Sequence, residues 1–313
     1  MDNFLICFHA IAPLLLLILL GYTLKRLGFI QPSGFAAMDR LCFKILIPVM
    51  LFCNVYFSDF PGQFQGNAIL LMDLSVLATF LAAFFLIPRL LPGQKENIAT
   101  VVHGVCHGNL AVLGMPLILN LFGAEQVAVY SILMACYSPV INPLMVIEHI
   151  YFQGDRVSVR KLLRNIISSP FLVGTMLGLL CNLLHIRFPV FINTTLTNLK
   201  SIASPLCLIA LGGSFSFAQI RGCFPLVVHS VLTKCVWIPA IVLSVAVALG
   251  FRGLVLASLL VIFCCPSAAA TYSFCTGYCG NPTLASQIVV YSTVFSIFSM
   301  FCWLFAFLQL GLI

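Results

Sequence analysis

Ten apolar runs of about 20 residues each follow one another along this chain, with only short polar segments between them. A run of that length is what an α-helix needs to cross a lipid bilayer. Only 7% of the residues are charged, against about 25% in soluble domains. The runs predict an all-α integral membrane protein with ten transmembrane helices, at about 4–24, 38–57, 67–88, 98–120, 127–150, 166–185, 199–217, 226–249, 254–276 and 284–309.

Basic residues predict the orientation of these spans. With the N-terminus outside, eleven of the 15 Lys and Arg residues fall in inner loops and inner span ends, and three fall in outer ones. The positive-inside rule therefore places both termini outside, in the plasma or inner membrane. The first run, Phe4–Leu24, has no basic residue before it and ends at Lys25 and Arg26, so we interpret it as a span rather than a cleaved signal.

The fourth predicted span is interrupted near its middle. His107–Pro116 reads H-G-N-L-A-V-L-G-M-P, which places two glycines, an amide and a proline inside the apolar run. Proline removes a backbone donor and glycine loosens a helix, so this stretch predicts a broken helix. Lipid cannot satisfy the freed backbone groups, which must face protein or a wet cavity.

The ninth span has a similar interruption. Cys264–Tyr272 reads C-C-P-S-A-A-A-T-Y, in which Pro266 is followed by small residues that permit close backbone approach. Interrupted spans in corresponding positions of two halves are the best sequence-level indication of a transporter substrate site. A kinked helix without a ligand is the alternative for the first break taken alone.

Weak self-similarity indicates that the chain is duplicated, with residues 1–150 and 166–313 as two five-helix repeats and 151–165 as a cytoplasmic linker. Because five is an odd number, the second repeat must be inverted across the membrane, as in alternating-access transporters. Three pairs of matching residues are displaced by 157 positions: Gly21 and Gly178, Pro32 and Pro189, and Pro48 and Pro205.

Asn109 is the leading candidate for contact with a substrate. It lies beside Gly108 and seven residues before Pro116, inside the broken span. Its side-chain amide can bind a carboxylate without burying a fixed positive charge. A helix–helix hydrogen bond is the alternative role for an asparagine in a membrane.

Other polar residues near the breaks are secondary candidates. Ser267 offers a hydroxyl directly after the second break. Asn142 precedes Pro143, which disfavours helix at Asn142, so the fifth span is expected to kink towards the site. Gln287 and Tyr272 are weaker candidates.

Asp73 and Lys234 are the deepest charges in the predicted spans. Ionisable groups at such depth are rare and are functional hypotheses by default. Alignment of the two repeats matches the third span, which contains Asp73, with the eighth, which contains Lys234. This match predicts that the two charges pair near the crossing of the broken helices. A buried ion pair that fixes packing is the alternative, and both interpretations remain open.

His103 and His107 lie four residues apart and share one helix face. The spacing resembles half of a zinc site, but the metalloprotease pattern needs Glu after the first His, where Gly104 stands. No third ligand is apparent, so no metal is predicted, and His107 is instead a candidate for a proton relay or a wet cavity. Glu148 and His149 end the fifth span, where snorkelling to the inner surface accounts for them.

Several function classes find no support in the sequence. The net charge of +7 forms no basic stripe with interleaved aromatic residues, so nucleic acid is not an expected partner. No nucleophile elbow, Gly-rich phosphate loop or carboxylate pair is present, so we predict neither an enzyme nor a cofactor. The 14 cysteines include no C-x-x-C pair and are interpreted as small buried apolar residues.

Five motifs recur in a characteristic order along the whole chain: L-G-Y-T-L-K-R-L-G at 20–28, G-N-L-A-V-L-G-M-P-L at 108–117, L-I-A-L-G-G-S-F at 208–215, P-S-A-A-A-T-Y at 266–272 and S-T-V-F-S-I-F-S at 292–299. Together they resemble the auxin efflux carrier family, which includes short bacterial permeases for malonate, malate and similar anions. The central inner loop of about 15 residues, residues 151–165, makes the bacterial permeases the closer likeness.

This resemblance implies a fold and a site. The family fold implies two inverted five-span repeats whose broken helices four and nine cross at their prolines. Spans one, two, six and seven would form a scaffold, and the rest a mobile transport unit with an elevator-like motion. The resemblance assigns substrate contacts to Asn109, Pro116 and Pro266, and less directly to Asn142.

We therefore expect a secondary transporter that moves small organic anions, mono- or dicarboxylates, by alternating access. A proton or a sodium ion is the candidate coupling ion. Membrane lipid is expected to surround the protein, and a homodimer is the candidate assembly. The alternatives are a sodium-coupled symporter of the similar bile acid symporter fold and a non-transporting membrane sensor. The expected substrate contacts are Gly108, Asn109, Pro116, Asn142, Pro266 and Ser267, with Asp73, Lys234 and His107 in coupling or support.

Overall fold

The computed structural model describes residues 2–57, 65–123, 126–153, 170–214, 224–277 and 279–313. Within these ranges the secondary structure is helical, and an isolated antiparallel bridge between Gly108 and Ser267 is the only β feature. The predicted linker 151–165 lies outside the described residues from residue 154 onward.

Most of the α-helices lie within or close to the predicted apolar runs, but the helix Val190–Ser214 begins nine residues before the predicted span at 199–217. In chain order the α-helices are α1 (Asp2–Arg26), α2 (Pro32–Leu41), α3 (Ile47–Tyr56), α4 (Gly66–Leu90), α5 (Lys95–Cys106), α6 (Met115–Phe122), α7 (Val127–Gln153), α8 (Pro170–Leu183), α9 (Val190–Ser214), α10 (Phe224–Leu232), α11 (Ile238–Ala248), α12 (Gly253–Cys264), α13 (Ala270–Gly277) and α14 (Pro282–Gln309).

Six helical stretches of the described chain are long and apolar enough to cross a membrane. They are Asn3–Arg26, Gly66–Leu90, Val127–Gln153, Val190–Gly213, Phe224–Ala248 and Pro282–Gln309. Shorter apolar helices, Leu110–Phe122 and Gly253–Cys264, belong to the two interrupted runs. The structure is therefore that of a multi-pass membrane protein, and the ten crossings remain a proposal.

Three π-helical segments have one physical cause in common. They are Cys42–Leu46, Leu110–Gly114 and Thr233–Trp237. A proline has no N–H for the carbonyl four residues earlier, and its ring crowds that carbonyl, so the preceding turn widens instead of breaking. Each segment ends two residues before a proline, at Pro48, Pro116 and Pro239 respectively.

The chain divides into two compact units, and each takes segments from both predicted repeats. The first contains Met1–Gln65, Ala111–Ala135 and Ile167–Phe215, and the second contains Gly66–Leu110, Cys136–Ile166 and Ser216–Ile313. The predicted spans one, two, six and seven fall in the first unit. The first unit also contains Ala111–Ala135, from the predicted spans four and five, so the scaffold of spans one, two, six and seven that the resemblance implies stays a prediction.

Glycines bring helices of the first unit into close contact. A Cβ on Gly21 would overlap the carbonyl of Ile209, so α1 and α9 pack backbone against backbone. A Cβ on Gly178 would likewise overlap the carbonyl of Phe52, where α8 packs on α3. Gly21 and Gly178 are the pair that the 157-residue displacement matched, and both lie at a helix–helix contact.

Two helices of the second unit are buried on every side. Each residue from Ile98 to Cys106 in α5 and from Leu256 to Cys264 in α12 is buried. A helix without a polar face is stable only inside a protein or a membrane. α14 packs against both α5 and α12, as well as against α10 and α13. The ends of α5 and α12 are therefore held inside the second unit.

Candidate functional site

The two broken helices meet inside the second unit. α5 ends at Cys106, and α12 ends at Cys264. The extended residues that follow form an antiparallel bridge between Gly108 and Ser267. The Asn109 N–H donates to the Pro266 carbonyl at 2.8 Å, and the Ala268 N–H donates to the His107 carbonyl at 2.9 Å. We call this bridge, residues 107–109 with 266–268, the crossover.

The first break lies at Gly108, although the sequence pointed to the whole stretch up to Pro116. Pro116 lies inside the continuous helical stretch Leu110–Phe122, where the turn before it widens into a π segment and does not break. It belongs to the first unit, while the other predicted contacts belong to the second. In the second break, Pro266 lies within the non-helical segment 265–269.

Three side chains form hydrogen bonds that hold the crossover together: those of Tyr137, Ser267 and Ser292. The sequence predicted a different role for Ser267 and none at the site for the other two. Tyr137 accepts a hydrogen bond from the Gly108 N–H at 3.1 Å and donates its own to the Cys106 carbonyl at 3.2 Å. The Ser267 hydroxyl donates to the Gly104 carbonyl at 2.5 Å, and the Ser267 N–H donates to Ser292 Oγ at 3.0 Å. Since Ser267 is fully buried, its hydroxyl holds the crossover instead of facing a substrate.

Asn109 presents an unused donor at this position. Its side chain is 4% exposed, and its Nδ2 atom has no hydrogen-bond partner among the described residues. A buried donor without a partner costs free energy, so native structures rarely leave one unless a ligand or water completes it. The predicted role of Asn109 in substrate contact agrees with this geometry, and the alternative of a helix–helix hydrogen bond through Nδ2 does not.

Lys234 brings a positive charge close to Gly108. A Cβ on Gly108 would lie only 3.5 Å from Lys234 Nζ, so the glycine leaves room for the ammonium. The side chain is 3% exposed and borders a cavity of about 10 Å³ together with Tyr137 and Cys106. One water molecule would fill such a cavity.

The predicted ion pair between Asp73 and Lys234 is wrong. In the described chain, neither residue has an ion-pair partner, and Asp73 Oδ1 accepts no hydrogen bond. Asp73 lies on α4 and is half-buried, whereas the ammonium of Lys234 lies beside the crossover. The Thr233–Trp237 π segment, which contains Lys234, is set by Pro239, a local effect that a repeat alignment does not include.

The prediction that helix is disfavoured at Asn142 is wrong, while the kink of the fifth span towards the site stays a prediction. α7 continues through Pro139 and Pro143 without a break, so Asn142 is helical. Neighbouring side chains in membrane proteins often satisfy the backbone groups that such prolines free. Among the weaker candidates, Gln287 is 3% exposed inside the second unit and Tyr272 is 49% exposed.

Glu148, His149 and His103 form a buried cluster, and each is 0% exposed. The snorkelling interpretation of Glu148 and His149 is therefore wrong. His103 Nδ1 lies 2.9 Å from His149 Nε2, and His103 Nε2 lies 3.1 Å from His107 Nδ1. The group that could hold a metal ion therefore contains His103 but not His107, and its other two members come from α7.

The first unit contains a cavity of its own. It has a volume of about 450 Å³, and most of the residues that line it are apolar. Pro116 borders it, as do Asn120 and Lys200. Asn120 is already used, because its Nδ2 donates to the Ala10 carbonyl at 2.8 Å.

The Tyr137 hydrogen bonds lead to a first prediction. Tyr137→Phe leaves the Gly108 N–H and the Cys106 carbonyl buried without their partner. We expect the free energy of unfolding to fall by about 1–3 kcal/mol. Thermal unfolding of the purified protein in detergent measures the change, with Tyr151→Phe, which alters an exposed ring, as the control. Equal unfolding midpoints for the two variants would show that Tyr137 does not fasten the crossover.

Comparisons with known proteins agree with a transporter. The family model described as membrane transport protein matches residues 6–153 and 154–304. An uncharacterized transporter from Methanothermobacter thermautotrophicus is 24% identical over 311 residues, with 94% of this chain and 96% of the relative covered. Another, from Methanocaldococcus jannaschii, is 22% identical over 295 residues, with 92% and 95% covered. The chain therefore belongs to the membrane transport protein family, which is the auxin efflux carrier family that its motifs resemble.

Proposed function

We propose that this protein is a secondary transporter of small organic anions, mono- or dicarboxylates, and that the anion binds at the crossover. The observation that carries the proposal is a buried amide donor without a partner close to a buried ammonium without a counter-charge. The Asn109 amide has a free N–H donor, and the Lys234 ammonium has no counter-charge among the described residues. Both side chains are buried next to the same glycine, Gly108.

A carboxylate matches both of these groups. Burying an ammonium without a counter-charge is costly, and an incoming anion supplies that charge. A carboxylate also accepts hydrogen bonds from amide N–H donors, and bonds to charged groups are the stronger kind. The helix α13 begins at Ala270, directly after the second break, and the partial positive charge of a helix N-terminus favours anions as well. A cationic substrate would meet repulsion from Lys234.

The proposed transport mechanism is alternating access with an elevator-like motion. It includes ten membrane crossings in two inverted repeats, residues 1–150 and 166–313, with both termini outside. Its support is the division of the chain into two units. The first contains spans one, two, six and seven together with Ala111–Ala135, and the second contains the whole crossover. The chain passes from the second unit to the first between Leu110 and Ala111, directly after the crossover.

Uptake by proteoliposomes tests the proposed function. Labelled mono- and dicarboxylates are offered to sealed vesicles, with proton and sodium gradients imposed separately. We expect saturable uptake of at least one carboxylate and none of a matched cation or neutral amide. Dependence on the sodium gradient would assign the protein to the sodium-coupled alternative. Binding of a carboxylate without any uptake would instead support a membrane sensor and contradict a transporter.

A further inference from the structure

The buried cluster of His103, Glu148 and His149 gathers three ligand-type atoms. Nδ1 of His103 lies 2.9 Å from Nε2 of His149, and that Nε2 lies 3.5 Å from a carboxylate oxygen of Glu148. One such atom from each residue lies within 4.8 Å of the other two. The three side chains come from two helices, α5 and α7, and none of them is exposed. Packing of the second unit therefore brings together groups that are 45 residues apart in sequence, from His103 to Glu148.

The carboxylate of Glu148 indicates that a cation belongs here. Both of its oxygens are buried, and neither accepts a hydrogen bond from any described residue. Buried carboxylates are normally paired, hydrogen-bonded or bound to a metal, because desolvation of the charge is otherwise uncompensated. The nearest partner, His149 Nε2 at 3.5 Å, is too distant for a charge-assisted hydrogen bond, which measures about 2.7–2.9 Å.

Contacts outside the cluster fix how the imidazoles face it. The carbonyl of Cys279 can only accept, so His149 Nδ1, 2.5 Å away, carries the proton and donates it. In neutral His149, Nε2 then accepts a hydrogen bond from His103 Nδ1–H at 2.9 Å and faces Glu148. A metal ion would take the place of that proton, which would move to His103 Nε2. His103 has an outer neighbour as well, His107 Nδ1 at 3.1 Å from His103 Nε2. Metal-binding histidines usually donate their second N–H to a carbonyl or a similar acceptor in this way.

The distances and the surroundings suit a transition metal. Nitrogen and oxygen ligands at about 2.0–2.1 Å from a tetrahedral ion lie roughly 3.3 Å from each other. The 3.5 Å between His149 Nε2 and Glu148 is close to that value, and the 2.9 Å between the histidines is somewhat shorter. The ring of Phe274 packs 4.8 Å from that of His103 and 5.6 Å from that of His149, measured between centroids. This aromatic cover helps to keep water away from the cluster.

We propose that His103 Nδ1, His149 Nε2 and the Glu148 carboxylate bind one divalent transition-metal ion of the Zn²⁺ class. Two imidazoles and one carboxylate are a ligand set that such ions accept. The ion joins α5 to α7 close to the end of α5, where the crossover begins, and therefore braces the second unit. His107 acts as a positioning residue, because it contacts the outer nitrogen of His103. The site is independent of the proposed transport function, since it contains none of the groups assigned to the anion.

Metal analysis of the purified protein tests the site. After incubation with Zn²⁺ and removal of free metal, we expect a stoichiometry near one ion per chain. Bound metal stabilises the folded state, so Zn²⁺ should raise the thermal unfolding midpoint and a chelator should lower it. Glu148→Gln and His149→Asn should lose both effects. His107→Asn should retain the ion with about 10- to 100-fold weaker affinity. His9→Asn, which alters an exposed histidine on α1, is the control and should match the unchanged protein.

Two results would overturn the proposal. One is the absence of stoichiometric Zn²⁺ from the unchanged, folded protein. The other is a Glu148→Gln variant that binds Zn²⁺ as tightly as the unchanged protein. If the variants fail to fold, Co²⁺ titration of the unchanged protein decides, because imidazole-bound Co²⁺ gives visible absorption bands that Zn²⁺ should remove. These measurements need no substrate, so they remain informative even if the protein transports no anion.

Discussion

Lys234→Met should abolish transport and leave the protein at least as stable as before. Removing one partner of a buried charged hydrogen bond costs about 2–5 kcal/mol, which corresponds to a roughly 30- to 5000-fold loss of affinity for the anion. Without an anion, the ammonium is a buried charge with no counter-charge in the described chain, and methionine removes that cost while filling a similar volume. Saturable carboxylate uptake and the thermal unfolding midpoint measure the two effects.

The matched control is Lys44→Met. Lys44 also lies in a π-helical segment before a proline, but its side chain is exposed in the first unit. This control should keep the affinity for the anion. Uptake by Lys234→Met with unchanged affinity would remove Lys234 from the site. A large fall in its stability would show instead that the ammonium has a protein partner that holds the fold together.

Asn109→Ala should weaken anion binding with little change in stability. Losing a hydrogen bond to a charged group costs about 1.5–3 kcal/mol, or about 10- to 150-fold in affinity. The fold should tolerate the change because Nδ2 has no described protein partner to lose, and the backbone hydrogen bond to Pro266 remains available to alanine. Concentration dependence of uptake, together with thermal unfolding, separates binding from folding.

Asn198→Ala, which removes an exposed amide on α9, is the control for Asn109→Ala. Its uptake and stability should equal those of the unchanged protein. An Asn109→Ala variant that loses stability but keeps its affinity would make Asn109 a packing residue. In that case a protein group, and not the anion, would be the hydrogen-bond partner of Asn109 Nδ2.

The sequence was enough to find the broken helices because their causes are local. Glycine at 108 and proline at 266 act on the backbone wherever they stand in an apolar run. The details around Pro116 were harder to predict, since the turn before this proline widens into a π segment and does not break. Asn142 shows the same limit, because α7 continues through both of its prolines.

Long-range contacts were beyond the reach of the sequence. Helical spacing put His103 and His107 on one face, but it contained no information about which residues of α7 would pack against that face. The fully buried Glu148 and His149 were mistaken for snorkelling residues because span ends usually lie near the surface. Tyr137 gave no signal at all, since a tyrosine in an apolar helix is common and only the folded chain shows its two hydrogen bonds at the crossover.

The most direct test of the central claim is an exchange measurement in proteoliposomes. A carrier that alternates access moves faster when its site returns loaded, so unlabelled carboxylate inside the vesicles should accelerate entry of the same labelled carboxylate. We expect this acceleration for the unchanged protein and for Lys44→Met, and its loss in Lys234→Met. Entry that does not saturate and that ignores the internal anion would contradict alternating access through the crossover.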